Sequence, residues 1–533
     1  MRKILIIVIL SCLVVGKSAF AQPNIDHLLD TIQHTAFSFF WNEANPSNGL
    51  IRDRAEVVGT TDSSIPSSIA SVGFGLSAIC IGVDHGWVSR ADASARVLTT
   101  LKTLWNGPQG SGNGYAGMYG LFYHFLDMTT ARRTWDSELS TIDTGLLLAG
   151  MIDAKQYFDT SDPTDVSIRA YVDSIYYRMN WDLMRNFHDG ILMGWMPATG
   201  FLNYGEWTGY NEASIMYIEG MGSPTYPVDY RGWNKWMQGY QWQTQYGYQY
   251  VVFPPLFGHQ YSHCWIDFRG IQDTFMRAHG IDYFENSRRA TLAQRAYCAA
   301  NPGGFAGYSD SLWGITASDD PVVFYQAHGA PPAQSDNGTL APTAPLGSIA
   351  FAPDAVIPVI RNLWNNYQSQ IWTRYGFRDA FNISRNWWDP QVVGIDEGPI
   401  IMMIENYRTG KVWKRFMANP DIQRGLQVAG FQATQTGVRP GNPSNPLGFA
   451  LEQNYPNPFN PSTIINYRVS VASDVRLTVH DLLGREVADL VNERKTQGSY
   501  QVTFNPGDVA SGMYFYTLHT TTGTITRSMI FEK

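Results

Sequence analysis

The sequence predicts two unlike parts, a large all-α domain arranged as an (α/α) toroid and a small all-β sandwich behind it. Three observations predict this. Apolar residues recur at helical spacing from Ile25 to Met417. All 17 tryptophans lie between Trp41 and Trp413, so composition breaks after that point. Six prolines (Pro440, Pro443, Pro446, Pro456, Pro458 and Pro461) then fall among Gly, Asn and Ser, which is linker composition. The expected divisions are a leader at 1–21, the helical domain at 22–436, a linker at 437–452 and the sandwich at 453–533.

Arg2 and Lys3 precede the apolar run Ile4–Gly16, and Ala19-Phe20-Ala21 supplies a small-x-small cleavage pattern. This reads as a secretory leader, too short to span a bilayer. Ile9-Leu10-Ser11-Cys12 offers a weaker lipoprotein alternative, and no later segment is apolar for long enough to cross a membrane. Acidic residues number 46 against 38 basic, a net charge of −8, and loss of Arg2, Lys3 and Lys17 with the leader makes the mature chain more acidic still. With no basic run, nucleic acid is excluded as a partner. Charged residues are only 16% and aromatics 14%, which excludes disorder and leaves flat apolar faces of the kind a sugar ring can use. Cys80, Cys264 and Cys298 have no paired spacing and read as buried thiols.

Helices are expected over Ile25–Trp41, Ile65–Gly82, Ala91–Trp105, Ile142–Phe158, Val166–Met184, Asn211–Met221, Ile271–Phe284, Arg288–Ala300, Leu346–Trp364 and Gly398–Met417. Some are amphipathic, such as Ala91–Trp105. Others, such as Ile65–Gly82, are apolar all round and rich in small residues. Apolar helices are buried and amphipathic ones cover them, so an inner ring within an outer ring accounts for the alternation. The Gly- and aromatic-rich stretches Gly107–Tyr123 and Gly194–Tyr210 are expected over one mouth of the ring.

Behind the linker, Ser462–Val469, Val475–His480, Tyr500–Phe504 and Gly512–His519 alternate apolar with polar, as strands of a small antiparallel sandwich do. Leu451-Glu452-Gln453-Asn454-Tyr455-Pro456-Asn457-Pro458-Phe459-Asn460-Pro461, Asp481-Leu482-Leu483-Gly484-Arg485-Glu486-Val487 and Ser511-Gly512-Met513-Tyr514-Phe515-Tyr516 resemble the C-terminal sorting domain of the type IX secretion system. That resemblance implies the type IX machinery as a partner and export, through the periplasm, to the cell surface or the medium.

Three inner-type helices open with carboxylates: Asp143, Glu212, and Asp396 with Glu397. Each acid alone is explained by capping and the helix dipole. Three together suggest more, because parallel inner helices would bring them to one end of the ring. Two carboxyl groups are the minimum for cleaving a glycosidic bond, one protonated to serve the leaving oxygen and one ionised. Glu212 follows Trp207 and Tyr210, with Glu219 two turns further on, so an apolar wall or a like charge can raise its pKa. It is the expected proton donor. Asp143 is the first choice of base, with Asp396 or Glu397 next.

Tyr210-Asn211-Glu212-Ala213-Ser214 with Gly222-Ser223-Pro224-Thr225, His259-Gln260-Tyr261-Ser262-His263-Cys264-Trp265-Ile266-Asp267-Phe268-Arg269, Gly394-Ile395-Asp396-Glu397-Gly398-Pro399-Ile400 running on to Gly410, and Gly120-Leu121-Phe122-Tyr123-His124-Phe125-Leu126-Asp127 resemble the glucoamylase-like domain of glycoside hydrolase family 144. The likeness runs from about Ile25 to Gln427. It implies an (α/α)6 barrel, inverting and commonly endo-acting hydrolysis of β-1,2-glucan, and no metal or nucleotide cofactor. It also implies the donor at Glu212. Family members often carry Gln where Glu397 stands, which favours Asp396 over Glu397.

Sugar rings stack on flat faces and their hydroxyls take polar groups. Candidates for stacking are Tyr204, Trp207, Tyr308, Trp313 and Trp388; candidates for hydroxyls are Arg54, His124 and Arg269. Core packing is the bland alternative for each aromatic, a satisfied core histidine for His124, and an ion pair with Asp267 for Arg269. Other signals carry less. Gly112-Asn113-Gly114-Tyr115-Ala116-Gly117 follows no strand, so it is no dinucleotide loop. His259 and His263 lack the Glu of a zinc protease, and no Gly-x-Ser-x-Gly elbow occurs. Asp159, Asp162 and Asp165 do not have EF-hand spacing.

Overall fold

The computed structural model describes residues 24–201, 205–333 and 335–434, and in the tail 450–451, 454, 457–469, 472–482, 484–496, 498–507, 509–521 and 523–532. The leader, Tyr204 and the linker apart from 450–451 lie outside the described residues. The chain divides into two compact units between Thr434 and Gln435.

The first unit is helical. Its helices are α1 (Ile25–Asn42), α2 (Ile69–Asp84), α3 (Arg90–Asn106), α4 (Thr141–Tyr157), α5 (Pro163–Arg178), α6 (Ser214–Gly222) and α7 (Tyr230–Gln238). They continue with α8 (Thr274–His279), α9 (Tyr283–Ala300), α10 (Thr343–Leu346), α11 (Pro353–Asn362), α12 (Gln368–Ile371), α13 (Gly394–Arg408), α14 (Lys411–Met417) and α15 (Pro420–Val428). Four are buried on all sides: α2 from Ile69 to Gly82, α4 from Asp143 to Ala154, all of α6, and α13 from Asp396 to Asn406. They pack in the order α13, α2, α4, α6. Helices α1, α3 and α5 bury one face each, with α3 against α5.

The inner helices run parallel. At their N-terminal ends, the Ile69 N–H donates to the His124 carbonyl (3.1 Å), the Asp53 N–H to Pro66 (2.8 Å) and the Gly394 N–H to Asp53 (2.7 Å). At the opposite end, Arg415 of α14 pairs with Asp153 near the end of α4 (2.8 Å) and with Asp84 at the end of α2 (3.6 Å). Close approach depends on glycine: a Cβ at Gly150 in α4 would strike the Gly73 backbone of α2, and one at Gly73 would strike the Leu146 carbonyl.

Several helices differ from the sequence expectation, each for a local reason. Ile65–Gly82 starts only at Ile69, because Ser67–Ser68 pairs as a strand with Phe125–Leu126. Ile271–Phe284 splits at Gly280, whose φ of 68° ends α8. Leu346–Trp364 splits before Pro353, which opens α11, and Gly398–Met417 splits at Gly410 with φ 64°. Helix α5 stops at Arg178, short of Met184. Helices α7 and α15 were not anticipated. Cys80, Cys264 and Cys298 are buried thiols.

The second unit is β-rich. Glu486–Lys495, Ser473–His480, Gly512–Thr520 and Gly523–Phe531 form a four-stranded antiparallel sheet in that order. Ala450–Leu451, Thr463–Val469 and Gly498–Phe504 form a second of three strands. Ile465, Tyr467 and Phe504 of the smaller sheet share a core with Leu477, Val479, Tyr516, Leu518 and Met529 of the larger. Strands Glu486–Lys495 and Gly523–Phe531 were not expected.

Candidate active site

Each acid is set by a different local device. Ser140 caps α4: its Oγ accepts the Asp143 N–H (3.2 Å) and donates to Asp143 Oδ2 (2.5 Å). Glu212 occupies the turn before α6. That turn is held by Asn211, whose Oδ1 accepts the Ala213 N–H (3.0 Å) and Trp236 Nε1–H (3.1 Å), and by Ser262, which donates to the Glu212 carbonyl (2.7 Å). Asp396 lies in the first turn of α13, yet neither of its oxygens caps an N–H. Capping therefore does not explain it.

Glu212 lies close enough to Asp143 to feel its charge. Burial first, then the Asp143 charge, pushes the Glu212 carboxyl up to about 7, and its Oε2 is buried without a partner. Glu219 is fully buried two turns below; the like charge that acts on Glu212 is Asp143. His124 stands beside Asp143, with Nε2 3.6 Å from Asp143 Oδ2 and Nδ1 2.9 Å from Glu138. Burial opposes its charge, but Asp143 and then Glu138 outweigh that and raise it to about 9, so the ring is an imidazolium at neutral pH. Burial also raises Asp143, against the pull of His124 and Ser140.

A second acidic group adjoins. Arg54 donates through Nη1 to both oxygens of Asp319 (3.0 and 2.8 Å) and through Nε to Asp53 (2.9 Å). Burial and its neighbouring acids raise Asp379 to about 7 and Asp389 to about 9. Asp396 is held well above the usual range by burial, then by Asp379. The buried Tyr261 feels both Asp396 and Glu212, linking the two groups. Ligand atoms of His124, Glu138 and Asp143 lie within 4.8 Å of one another, as do those of Asp319, Asp379 and Asp389. In each set a side-chain cation, His124 or Arg54, already offsets carboxylates.

The other expected contacts divide. Trp207 lies over the start of α4, its Nε1–H donating to Thr141 Oγ1 (3.0 Å). Trp388 is half-buried with one face stacked on Phe381 (5.8 Å). Arg54 and His124 join the acids. Three expectations need correction. Trp313 is 1% exposed and offers no face to a sugar. Tyr308 is buried, its hydroxyl donating to Asp336 (2.8 Å). Arg269 is bidentate to Asp267 (2.7 Å each) and lies over Trp413 (4.3 Å), just beyond the C-terminal end of α13 and so at the far end from Asp396. Tyr204 lies outside the described residues. Sequence reasoning missed Asp53, Glu138, Asp319, Asp379 and Asp389. Only Glu138, two residues before a helix cap, left any local signal.

Carboxyls at the N-terminal ends of parallel buried helices, with an imidazolium and an arginine among them, mark one end of this helical domain. Residues 204–420 match the family described as “Putative glucoamylase”, and residues 453–532 match the secretion system C-terminal sorting domain. A Bacteroides uniformis protein of the same family description is 32% identical; the match covers 78% of this chain and 99% of that one, with TM-score 0.71. The chain belongs to this glucoamylase-like family and carries a type IX sorting domain, which indicates secretion or display at the cell surface. It is also similar to an endo-β-1,2-glucanase from Chitinophaga pinensis, 28% identical over 77% of this chain and 99% of that one, with TM-score 0.71. An exo β-1,2-glucooligosaccharide sophorohydrolase (non-reducing end) of Parabacteroides distasonis is 32% identical over 443 residues, 77% of this chain. The chain spans 59% of that relative's length.

Proposed function

We propose that this protein is an exported glycoside hydrolase that cleaves β-1,2-glucan at internal bonds with inversion. The observation that carries the reading is Glu212, a carboxyl kept protonated to about pH 7 by burial beside Asp143. Such a group can give a proton to the departing glycosidic oxygen. Asp143 then takes a proton from the attacking water. Ser140 and His124 both act on its Oδ2, and in this reading Oδ1 takes the proton from the water. The imidazolium pulls Asp143 down against the effect of burial, whereas burial and then Asp379 hold Asp396 well above the usual carboxylate range, which makes it the poorer base. Each turnover leaves the proton on Asp143 and the charge on Glu212, and solvent restores both. Inversion calls for roughly 6.5–9.5 Å between donor and base, room for one water.

The Chitinophaga likeness supports internal cleavage of β-1,2-glucan. The Parabacteroides relative supports a second reading, release of short oligosaccharides from the non-reducing end. In both readings the inner helices belong to an (α/α)6 toroid, the tail is a sandwich beginning near residue 453, and export passes through the periplasm. Digestion of linear β-1,2-glucan tests the proposal. A ladder of products supports internal cleavage, one small product supports end-wise release, and retention on the polymer without turnover would make this a glycan-binding protein. NMR of the first anomer formed tests inversion.

A further inference from the structure

Trp135 is the most exposed of the 17 tryptophans, at 56%, and no function so far uses it. Trp105 follows at 37%, but Arg178 covers its ring at 4.7 Å. Trp135 packs by one side on Phe125 (5.2 Å), which stacks on His124 (3.9 Å, 15° between planes), which reaches Asp143. A continuous row of rings thus leads from solvent to the candidate base. The turn that presents Trp135 is strained, since Trp135 and Asp136 both take left-handed φ, 55° and 49°. Non-glycine residues in that region are strained and persist only where surroundings fix them. Here buried Arg133 fixes them, its Nε donating to the Ser137 carbonyl (2.6 Å) and its Nη1 to Asn113 (2.5 Å). The Thr134 N–H also donates to the Phe125 carbonyl (3.1 Å).

We propose that Trp135 is a sugar-stacking platform, a subsite that holds a glucosyl ring of the β-1,2-glucan chain on the solvent side of the His124–Asp143 pair. The inference rests on the proposed function. A glucose ring has an apolar face of C–H groups that suits an exposed indole. Arg133 and Ser137 anchor the turn from the buried side, yet the ring that the turn displays remains in water. Continuity with the candidate site selects a substrate ring over a protein surface as the occupant.

The test compares wild type with Trp135→Asn and Trp135→Phe. Asparagine tolerates left-handed φ, so Trp135→Asn should melt no lower than wild type while removing the ring. Affinity electrophoresis through gels containing β-1,2-, β-1,3-, β-1,4- or β-1,6-glucan reports binding, and initial rates report KM and kcat. Trp135→Asn is expected to raise KM by roughly three- to tenfold and to lose gel retardation, with a smaller change in kcat. Trp135→Phe should recover most of the loss. Unchanged KM and retardation in Trp135→Asn would overturn the platform and leave the proposed function standing. Wild type retarded only by a different glucan would overturn the proposed substrate, and the variants on that glucan would still decide the platform. Wild type ignoring all four would overturn both.

Discussion

His124 is held between two carboxylates, Nδ1 on Glu138 at 2.9 Å and Nε2 at 3.6 Å from Asp143. Its pKa of about 9 lies above the ~6.5 of an unfolded chain. The bound proton therefore stabilises the fold fully below about pH 6.5, and that stability is lost as pH rises through about 9. The melting temperature should fall between pH 6.5 and 9, and His124→Asn should flatten that fall in calorimetric scans.

Glu212→Gln should lower kcat by roughly 10²–10⁴, the usual worth of a positioned acid, with KM within about twofold. In wild type the basic limb of kcat/KM should lie near pH 7, where the donor loses its proton. Because this pKa is also raised on folding, the acid costs stability above pH 7. Glu212→Gln should melt a few degrees higher than wild type at pH 8.

Asp143→Asn should match Glu212→Gln in lost rate, whereas Asp396→Asn should lose clearly less. Initial rates on the same glucan decide between them. The opposite order would move the base from α4 to α13.

Gly150→Ala pushes α4 off the Gly73 backbone and should cost at least about 1–3 kcal/mol, read from urea unfolding. Gly114→Ala, where a Cβ meets nothing within 4 Å, serves as the control and should be neutral.

What the sequence disclosed follows what periodicity can encode. Helices α2, α4 and α13 stand out because they are apolar on every side, and the opening acids of α4 and α13 are visible as departures from that pattern. Helix α7, Tyr-Arg-Gly-Trp-Asn-Lys-Trp-Met-Gln, has two buried tryptophans in a short polar segment, too few to set a period. Helix α15 has a local signal in the sequence, Asn419 capping before Pro420. Asp319 lies in the short strand Ala317–Asp320 and Asp379 and Asp389 in later loops, and only folding brings them to Arg54. Trp313 and Tyr308 show the converse. An aromatic in a loop looks available to a sugar until the fold encloses it.

The glycine contact between α2 and α4 leaves little freedom for change at the axis, since a single added methyl there meets main chain. Trp135 stands in water with neighbours on one side only. Diversification among relatives should consequently be written in the loops, with new chain-length preferences arising by swapping exposed rings while the helices beneath stay nearly invariant.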